Sequence, residues 1–171
     1  MQASVARVVR TAYLDTNVYV EATLGGPLRA ASRAVVQMAG TRRFGGVGSA
    51  LLRRELQGVC QAYATRVPLE LYVRSIVVEV PGGRRARFLG RMYWRQLGIK
   101  RSDAMHLALA VGAGADLFLS WNREDLVKRR TTEGLRQTNA ILGLPVPLVL
   151  TPAQFLQKAT VQGRRGRLSL R

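Results

Sequence analysis

The chain has 171 residues, 47% of them hydrophobic, which predicts one globular domain with an adequate core. We expect no transmembrane span, because no run of about 18 apolar residues occurs, and no secretory signal. The single cysteine, Cys60, excludes an internal disulfide and argues against a zinc site. These features predict a cytoplasmic protein in a reducing environment.

The charge is strongly unbalanced, with 27 lysines and arginines against 10 aspartates and glutamates and a net charge of +17. A globular protein this basic usually binds a polyanion, and nucleic acid is the leading candidate. An acidic protein or a membrane surface is the alternative.

Predicted strands and helices alternate through the first half of the chain. Residues 11–15 predict a short buried strand that ends at Asp15, and Thr16 or Asn17 is placed to cap a short helix running to about Leu24. There follow, in order, a predicted helix over 28–39, a strand over 44–48, a helix capped by Ser49, a helical turn from Pro68 and a strand over 75–80.

The alternation continues in the second half. The arginine-rich segment 84–98 predicts a helix whose apolar face comprises Phe88, Leu89, Met92 and Leu97. There follow a helix capped by Ser102, a strand over 116–120, a helix over 132–142, a strand over 146–150 and a helix from Pro152 to Lys158.

The predicted fold class is α/β. The strands over 75–80, 116–120 and 146–150 lack polar alternation, which favours burial on both faces. We therefore predict a three-layer α/β/α sandwich with a mostly parallel sheet of about five strands. Residues 1–158 are expected to form this domain, and residues 159–171 a basic, flexible tail.

Four of the ten acidic residues fall near junctions that share one end of such a sheet. They are Asp15, Glu55, Asp103 and Asp125. Converging carboxylates repel one another, and a divalent cation relieves that repulsion. Oxygen ligands favour Mg²⁺ or Mn²⁺, so an acidic pocket in a basic protein indicates phosphodiester hydrolysis.

Each of these acids also has a structural interpretation. Asp15 is placed to cap the following helix, and Asp103 to favour a helix dipole. Glu55 can pair with a nearby arginine, and Asp125 can be solvated or act as a cap. The functional hypothesis therefore depends on the set rather than on any single member.

Other candidate residues are ambiguous or excluded. His106 lies in an apolar helix, where a packed structural histidine is commoner than a catalytic one. Tyr93, Trp94 and Trp121 are suited either to stacking on bases or to ordinary packing. The stretch Gly45–Ser49 lacks the Gly-Lys-Ser/Thr of a phosphate loop, so we reject nucleotide binding there.

Four collinear segments resemble the PIN-domain ribonucleases, and most closely the VapC-type toxins of bacterial toxin–antitoxin pairs. They are YLDTNVYVEA at 13–22, SALLRREL at 49–56, KRSDAMHLALAVGAGADLFLSWN at 100–122 and VPLVLTPAQFL at 146–156. Together they span most of the chain.

The resemblance implies an endoribonuclease that binds Mg²⁺ or Mn²⁺, with Asp15, Glu55 and Asp103 as its first three acids. Some members of the family carry an aspartate where this chain has Asn122, and Asp125 follows three residues later. Either residue is a candidate to complete the metal site. Thr16 and Asn17 are expected to support the Asp15 carboxylate or a metal-bound water.

The resemblance further implies an RNA substrate bound by rim arginines of segment 84–101, a small antitoxin partner and a homodimer. The alternative is a PIN-like module that binds RNA or protein without cutting. A phosphatase or small-molecule enzyme is disfavoured, because neither GxSxG nor DxDx(T/V) occurs and position 17 is asparagine.

Overall fold

The computed structural model of the protein describes residues 7–161 and 168–170. The strands are β1 Arg7–Val9, β2 Thr11–Leu14, β3 Gly45–Ser49, β4 Ile76–Val80, β5 Leu117–Leu119, β6 Leu148–Leu150, β7 Ala159–Val161 and β8 Leu168–Leu170. The helices are α1 Thr16–Leu24, α2 Arg29–Gly40, α3 Ala50–Ala62, α4 Val67–Ser75, α5 Arg84–Leu97, α6 Arg101–Gly112, α7 Arg129–Ile141 and α8 Pro152–Lys158.

The main sheet has five parallel strands in the order β4-β3-β2-β5-β6. Helices α1–α4 pack with one another and α8 packs on α2, whereas α5 packs on α6 and α7. The result is a three-layer α/β/α sandwich, which confirms the predicted fold class. The central strands β2 and β5 are buried, and Tyr13 of β2 stacks on Phe118 of β5 with ring centroids 5.5 Å apart.

Strand β4 departs from the prediction of burial on both faces. Val77 and Val78 are 61% and 49% exposed, because β4 lies at the edge of the sheet and pairs with β3 alone. The other two strands of that prediction, β5 and β6, have buried or half-buried residues throughout.

Two helix predictions also need correction. Phe88 of α5 is 55% exposed, since the buried face of this helix consists of Leu89, Gly90, Tyr93 and Leu97. Helix α6 begins at Arg101, two residues earlier than expected, so Ser102 lies within its first turn and does not cap it.

Two glycines of β3 are explained by close packing. A Cβ atom on Gly46 would lie 2.2 Å from the backbone oxygen of Ser75, and one on Gly48 would lie 2.3 Å from the hydroxyl of Tyr72. Only glycine lets the neighbouring backbone and ring approach this closely. The predicted cap at Ser49 is confirmed, since its hydroxyl accepts a hydrogen bond from the Leu52 amide.

The segment expected to be a tail contributes two strands. β7 and β8 pair antiparallel, and β8 pairs antiparallel with β1, which makes a second, three-stranded sheet. Residues 162–167 and 171 lie outside the described residues. No described helix has the length and apolar character needed to cross a membrane.

Candidate active site

The carboxyl edge of the sheet gathers most of the predicted site residues. Asp15 follows β2, Glu55 lies in the second turn of the helix after β3, and Asn122 and Asp125 follow β5. Parallel strands bring their carboxyl ends to one edge of a sheet. Asp103 does not follow a strand but lies in the first turn of α6.

Asp15 is buried and held by three donors. Its Oδ1 accepts a hydrogen bond from the Thr16 amide at 2.8 Å, and its Oδ2 accepts from Asn17 Nδ2 at 2.8 Å and Ser120 Oγ at 2.7 Å. Asp15 itself is the N-cap of α1, so the prediction that Thr16 or Asn17 caps this helix is wrong. Because Asp15 ends the strand with extended backbone, its carboxylate reaches the first free amide of the helix.

Ser120 is a site residue that the sequence did not single out. Its hydroxyl donates to Asp15 and accepts hydrogen bonds from Asn17 Nδ2 and the Asn122 amide, each at 3.0 Å. Ser120 therefore couples the end of β2 to the end of the adjacent β5. Its position directly after a central strand was the available signal.

Glu55 is tied to α1 and α6. Its Oε2 accepts a hydrogen bond from Thr16 Oγ1 and lies 2.9 Å from His106 Nε2. Burial raises the pKa of Glu55, but the hydrogen bond and charge of His106, together with the Thr16 hydrogen bond, lower it below its ordinary value. Among the described residues, the ion pair of Glu55 is with a histidine rather than with an arginine.

His106 is buried, yet both of its ring nitrogens have polar partners. Nδ1 lies 2.8 Å from the hydroxyl of Tyr13, which in turn lies 2.9 Å from Ser49 Oγ. Burial lowers the pKa of His106, but the hydrogen bond to Glu55 and the charges of Asp15 and Glu55 raise it above its ordinary value. The histidine thus links the core to a site carboxylate.

Asn122 joins the two remaining acids. Its Nδ2 donates to Asp103 Oδ2 at 2.9 Å and to Asp125 Oδ2 at 3.5 Å, while its Oδ1 accepts from the Asp125 amide at 3.0 Å. Lys100 Nζ approaches Asp125 Oδ2 at 3.8 Å. Asn122 and Asp125 therefore lie together beside Asp103.

The electrostatics connect the acids across the site. Burial, and then the negative charges of Asp15 and Asp125, raise the pKa of Asp103 to about 6, against weaker opposing effects of His106 and Lys100. A carboxyl pKa raised by burial and by neighbouring carboxylates is typical of clustered acids at functional sites.

The donor set can be tested against a metal ion by its chemistry. Carboxylate and amide oxygens are the ligands that Mg²⁺ and Mn²⁺ prefer, and the negative charges of Asp15 and Asp125 add to burial in raising the pKa of Asp103. Within residues 7–161 and 168–170, however, no three or more histidine, cysteine, aspartate or glutamate side chains are arranged to hold one ion. The chemistry of the donors fits a divalent cation, while their oxygens here accept hydrogen bonds from the protein.

Comparisons with known proteins show what class of fold this is. No protein-family model matches the chain, and no curated protein matches it. A chain of a toxin–antitoxin complex from Klebsiella pneumoniae superposes with a TM-score of 0.59 at 14% identity, over 82% of this chain and 97% of that one. The predicted resemblance is therefore confirmed at the level of the fold.

A second solved structure agrees. A chain of VapBC2 from Rickettsia felis, in a complex bound to a DNA fragment from their promoter, superposes with a TM-score of 0.55 at 14% identity, over 82% of this chain and 98% of that one. The protein thus shares a PIN-like three-layer sandwich fold with chains of two toxin–antitoxin complexes.

Proposed function

We propose that the protein is a divalent-metal-dependent endoribonuclease that acts as the toxin of a toxin–antitoxin pair. The observation that carries the proposal is the acid cluster at the carboxyl edge of a PIN-like sheet, where Asp15 and Asp125 help to raise the pKa of Asp103 to about 6. A cluster of this kind attracts a cation, and the net charge of +17 attracts a nucleic acid.

The residues proposed to hold Mg²⁺ or Mn²⁺ are Asp15, Glu55, Asp103 and Asp125, with Asn122 as a further oxygen donor. When bound, such an ion would acidify a water molecule and neutralise charge that develops on the scissile phosphate. The protein's own contribution is positioning, because three donors fix Asp15 and two fix Glu55.

The proposed physiological setting follows from the fold resemblance. Solved structures with this fold belong to toxin–antitoxin complexes, which supports a small antitoxin protein as partner. We extend the proposal to a cytoplasmic location and a homodimer. Gel filtration of the purified chain with light scattering would test the dimer directly.

The test of the proposal is RNA cleavage by purified protein with Mg²⁺ or Mn²⁺. Asp15→Asn and Asp103→Asn keep the side-chain shape and remove a charge, so each is expected to lower the cleavage rate by at least about 100-fold, as is typical when a catalytic group is lost. Glu124→Gln is the matched control, since Glu124 is exposed and adjacent to Asp125. Wild-type cleavage by folded Asp15→Asn would refute the site.

A second candidate is a PIN-like module that binds RNA or a protein without cutting it. Two observations favour it: an asparagine stands at position 122, and Glu55 is already paired with His106. This candidate predicts RNA binding that does not change on addition of Mn²⁺ and no cleavage by the wild-type protein.

A further inference from the structure

The surface of α5 and of the start of α6 is densely basic. Segment 84–101 contains seven basic residues and no acid, namely Arg84, Arg85, Arg87, Arg91, Arg95, Lys100 and Arg101. All seven residues are exposed. A surface of this kind is a candidate for binding phosphates.

Within this surface, a tryptophan and an arginine form a stacked pair. The guanidinium of Arg101 lies 4.1 Å from the centroid of the Trp94 ring, and that of Arg95 lies 5.9 Å from it. Trp94 is half-buried and Arg101 is exposed, so the guanidinium covers the ring on the side that faces solvent. Guanidinium planes and aromatic rings are the two platforms on which proteins stack unpaired bases.

The pair lies in a groove of about 280 Å³ lined by Gly90, Arg91, Trp94, Arg95, Arg101 and Met105. Its lining has three arginines and no carboxylate. The groove is formed where α5 and α6 nearly touch, since a Cβ on Gly90 would lie 3.2 Å from Met105 Cε. Its volume is just below the roughly 300–1,000 Å³ of pockets for whole small ligands, which suits one nucleotide of a longer strand.

A second groove adjoins the first across Arg91 and Arg95, which line both. It has a volume of about 390 Å³ and contains Phe88, which is 55% exposed. Arg91 and Arg95 are one helical turn apart and therefore lie on the same face of α5. Two aromatic side chains thus flank a pair of arginines.

The stacked pair and the acid cluster each have a residue in the first turn of α6. Arg101 precedes Asp103 by two residues, so their side chains leave the helix in different directions. Lys100, which precedes Arg101, approaches Asp125 at 3.8 Å. The start of α6 therefore connects the basic surface to the proposed site of cleavage.

We infer that the Trp94–Arg101 pair and the arginines beside it bind single-stranded RNA, with one base stacked on the pair and the backbone phosphates on Arg91 and Arg95. The inference rests on the proposed function for its link to cleavage, but the binding site itself does not depend on it. Charge complementarity favours a polyanion, and the aromatic–guanidinium stack favours unpaired bases over an acidic protein surface.

The experiment measures binding of a short fluorescein-labelled oligouridine in EDTA, where cleavage by a metal-dependent enzyme is blocked. Arg101→Gln is expected to weaken binding about ten-fold, which matches the loss of one stacked base. Arg91→Gln, which removes a phosphate contact, is expected to lower the slope of log affinity against log salt by about one. Arg43→Gln is the matched control. Arg43 is exposed and precedes β3, so it lies at the amino end of the parallel strands, whereas the acid cluster lies at their carboxyl end. This substitution removes the same charge and is expected to leave affinity nearly unchanged.

Trp94 provides a second readout, since it and Trp121 are the two tryptophans of the chain. Added oligouridine is expected to quench the tryptophan emission of the wild type, and Trp94→Phe is expected to remove that quenching while a circular dichroism spectrum confirms the fold. Polyglutamate at equal charge is expected not to displace the labelled oligouridine.

Three results would overturn the inference: equal weakening by Arg101→Gln and Arg43→Gln, quenching that persists in Trp94→Phe, or displacement of the labelled oligouridine by polyglutamate as effective as that by unlabelled oligouridine. The last would assign the surface to an acidic protein. Binding that follows the expectation without any cleavage in Mn²⁺ would uphold this site and refute the proposed nuclease.

Discussion

His106 Nε2 lies 2.9 Å from Glu55 Oε2, while its Nδ1 lies 2.8 Å from the buried hydroxyl of Tyr13. The imidazole therefore connects a carboxylate at the rim of the site to a hydrogen-bond chain that ends at the N-cap of α3, Ser49. Glu55 is half-buried, and its oxygen cannot turn freely while this contact and the Thr16 hydrogen bond persist.

The first prediction concerns the pKa of His106, the single histidine of the chain. Its imidazole is expected to titrate above 6.5, because Glu55 and neighbouring acids outweigh burial. In Glu55→Gln the pKa of His106 is expected to fall, because burial lowers this pKa and the main interaction that raises it has been removed. NMR titration of the ring protons measures this without assignment of other signals. Glu124→Gln should leave the value unchanged, and an equal value in Glu55→Gln would disprove the pairing.

The second prediction concerns the Tyr13 hydroxyl. Tyr13→Phe leaves His106 Nδ1 without its partner in the core, so we expect a loss of about 1–3 kcal/mol in the free energy of unfolding. Urea denaturation followed by circular dichroism measures it. Tyr63→Phe is the control, because Tyr63 is 60% exposed and should change stability little. Equal stability of the two variants would contradict the network.

The third prediction is that Asp103 is held at a cost to stability. Its pKa is raised from 3.8 to about 6. The stability that the folded protein gains by holding this proton is therefore fully present below pH 3.8 and is lost as the pH rises through about 6. Asp103→Asn should therefore raise the free energy of unfolding at pH 7 in EDTA. The expected gain is roughly 1–2 kcal/mol, allowing for solvent screening of a half-buried group.

The measurement for Asp103→Asn is urea denaturation at pH 7 and at pH 4. The gain should shrink at pH 4, where Asp103 is largely protonated in the folded state. Glu124→Gln should show no such pH-dependent gain. A variant that is less stable than the wild type at pH 7 would show that Asp103 is a stabilising group and not a strained one.

The fourth prediction concerns the packing of β3. Gly46→Ala places a Cβ within 2.2 Å of the Ser75 backbone oxygen, so we expect a loss of at least about 2 kcal/mol or failure to fold. Gly58→Ala is the control. Gly58 lies in α3 with nothing within 4 Å of the added atom, and there alanine should stabilise by about 0.5–1 kcal/mol. Thermal melts of both variants distinguish these outcomes.

Much of the architecture follows from local sequence. Buried strands and capped helices carry their own signals, and Asp15, Ser49 and Pro152 mark helix starts where the structure has them. The exposure of Val77 and Val78 does not follow, because it depends on which strand lies at the edge of the sheet, and strand order is a long-range property.

In the site, too, local sequence predicts some features and long-range contacts determine the others. The strand ends indicated that Asp15 and Asp125 share one edge of the sheet, but the partners of these acids come from distant segments. Ser120 reaches Asp15 across 105 residues of sequence, and Glu55 reaches His106 across 51. No local pattern in the sequence specifies such contacts, so the roles of Ser120 and Tyr13 emerge from the fold alone.

The most direct test of the central claim is calorimetric titration of the purified protein with Mn²⁺ at pH 7. We expect saturable binding by the wild type and by Glu124→Gln, and none by Asp15→Asn, whose circular dichroism spectrum should match that of the wild type. Absence of binding by the wild type, or equal binding by Asp15→Asn, would contradict a metal-dependent active site at this edge of the sheet.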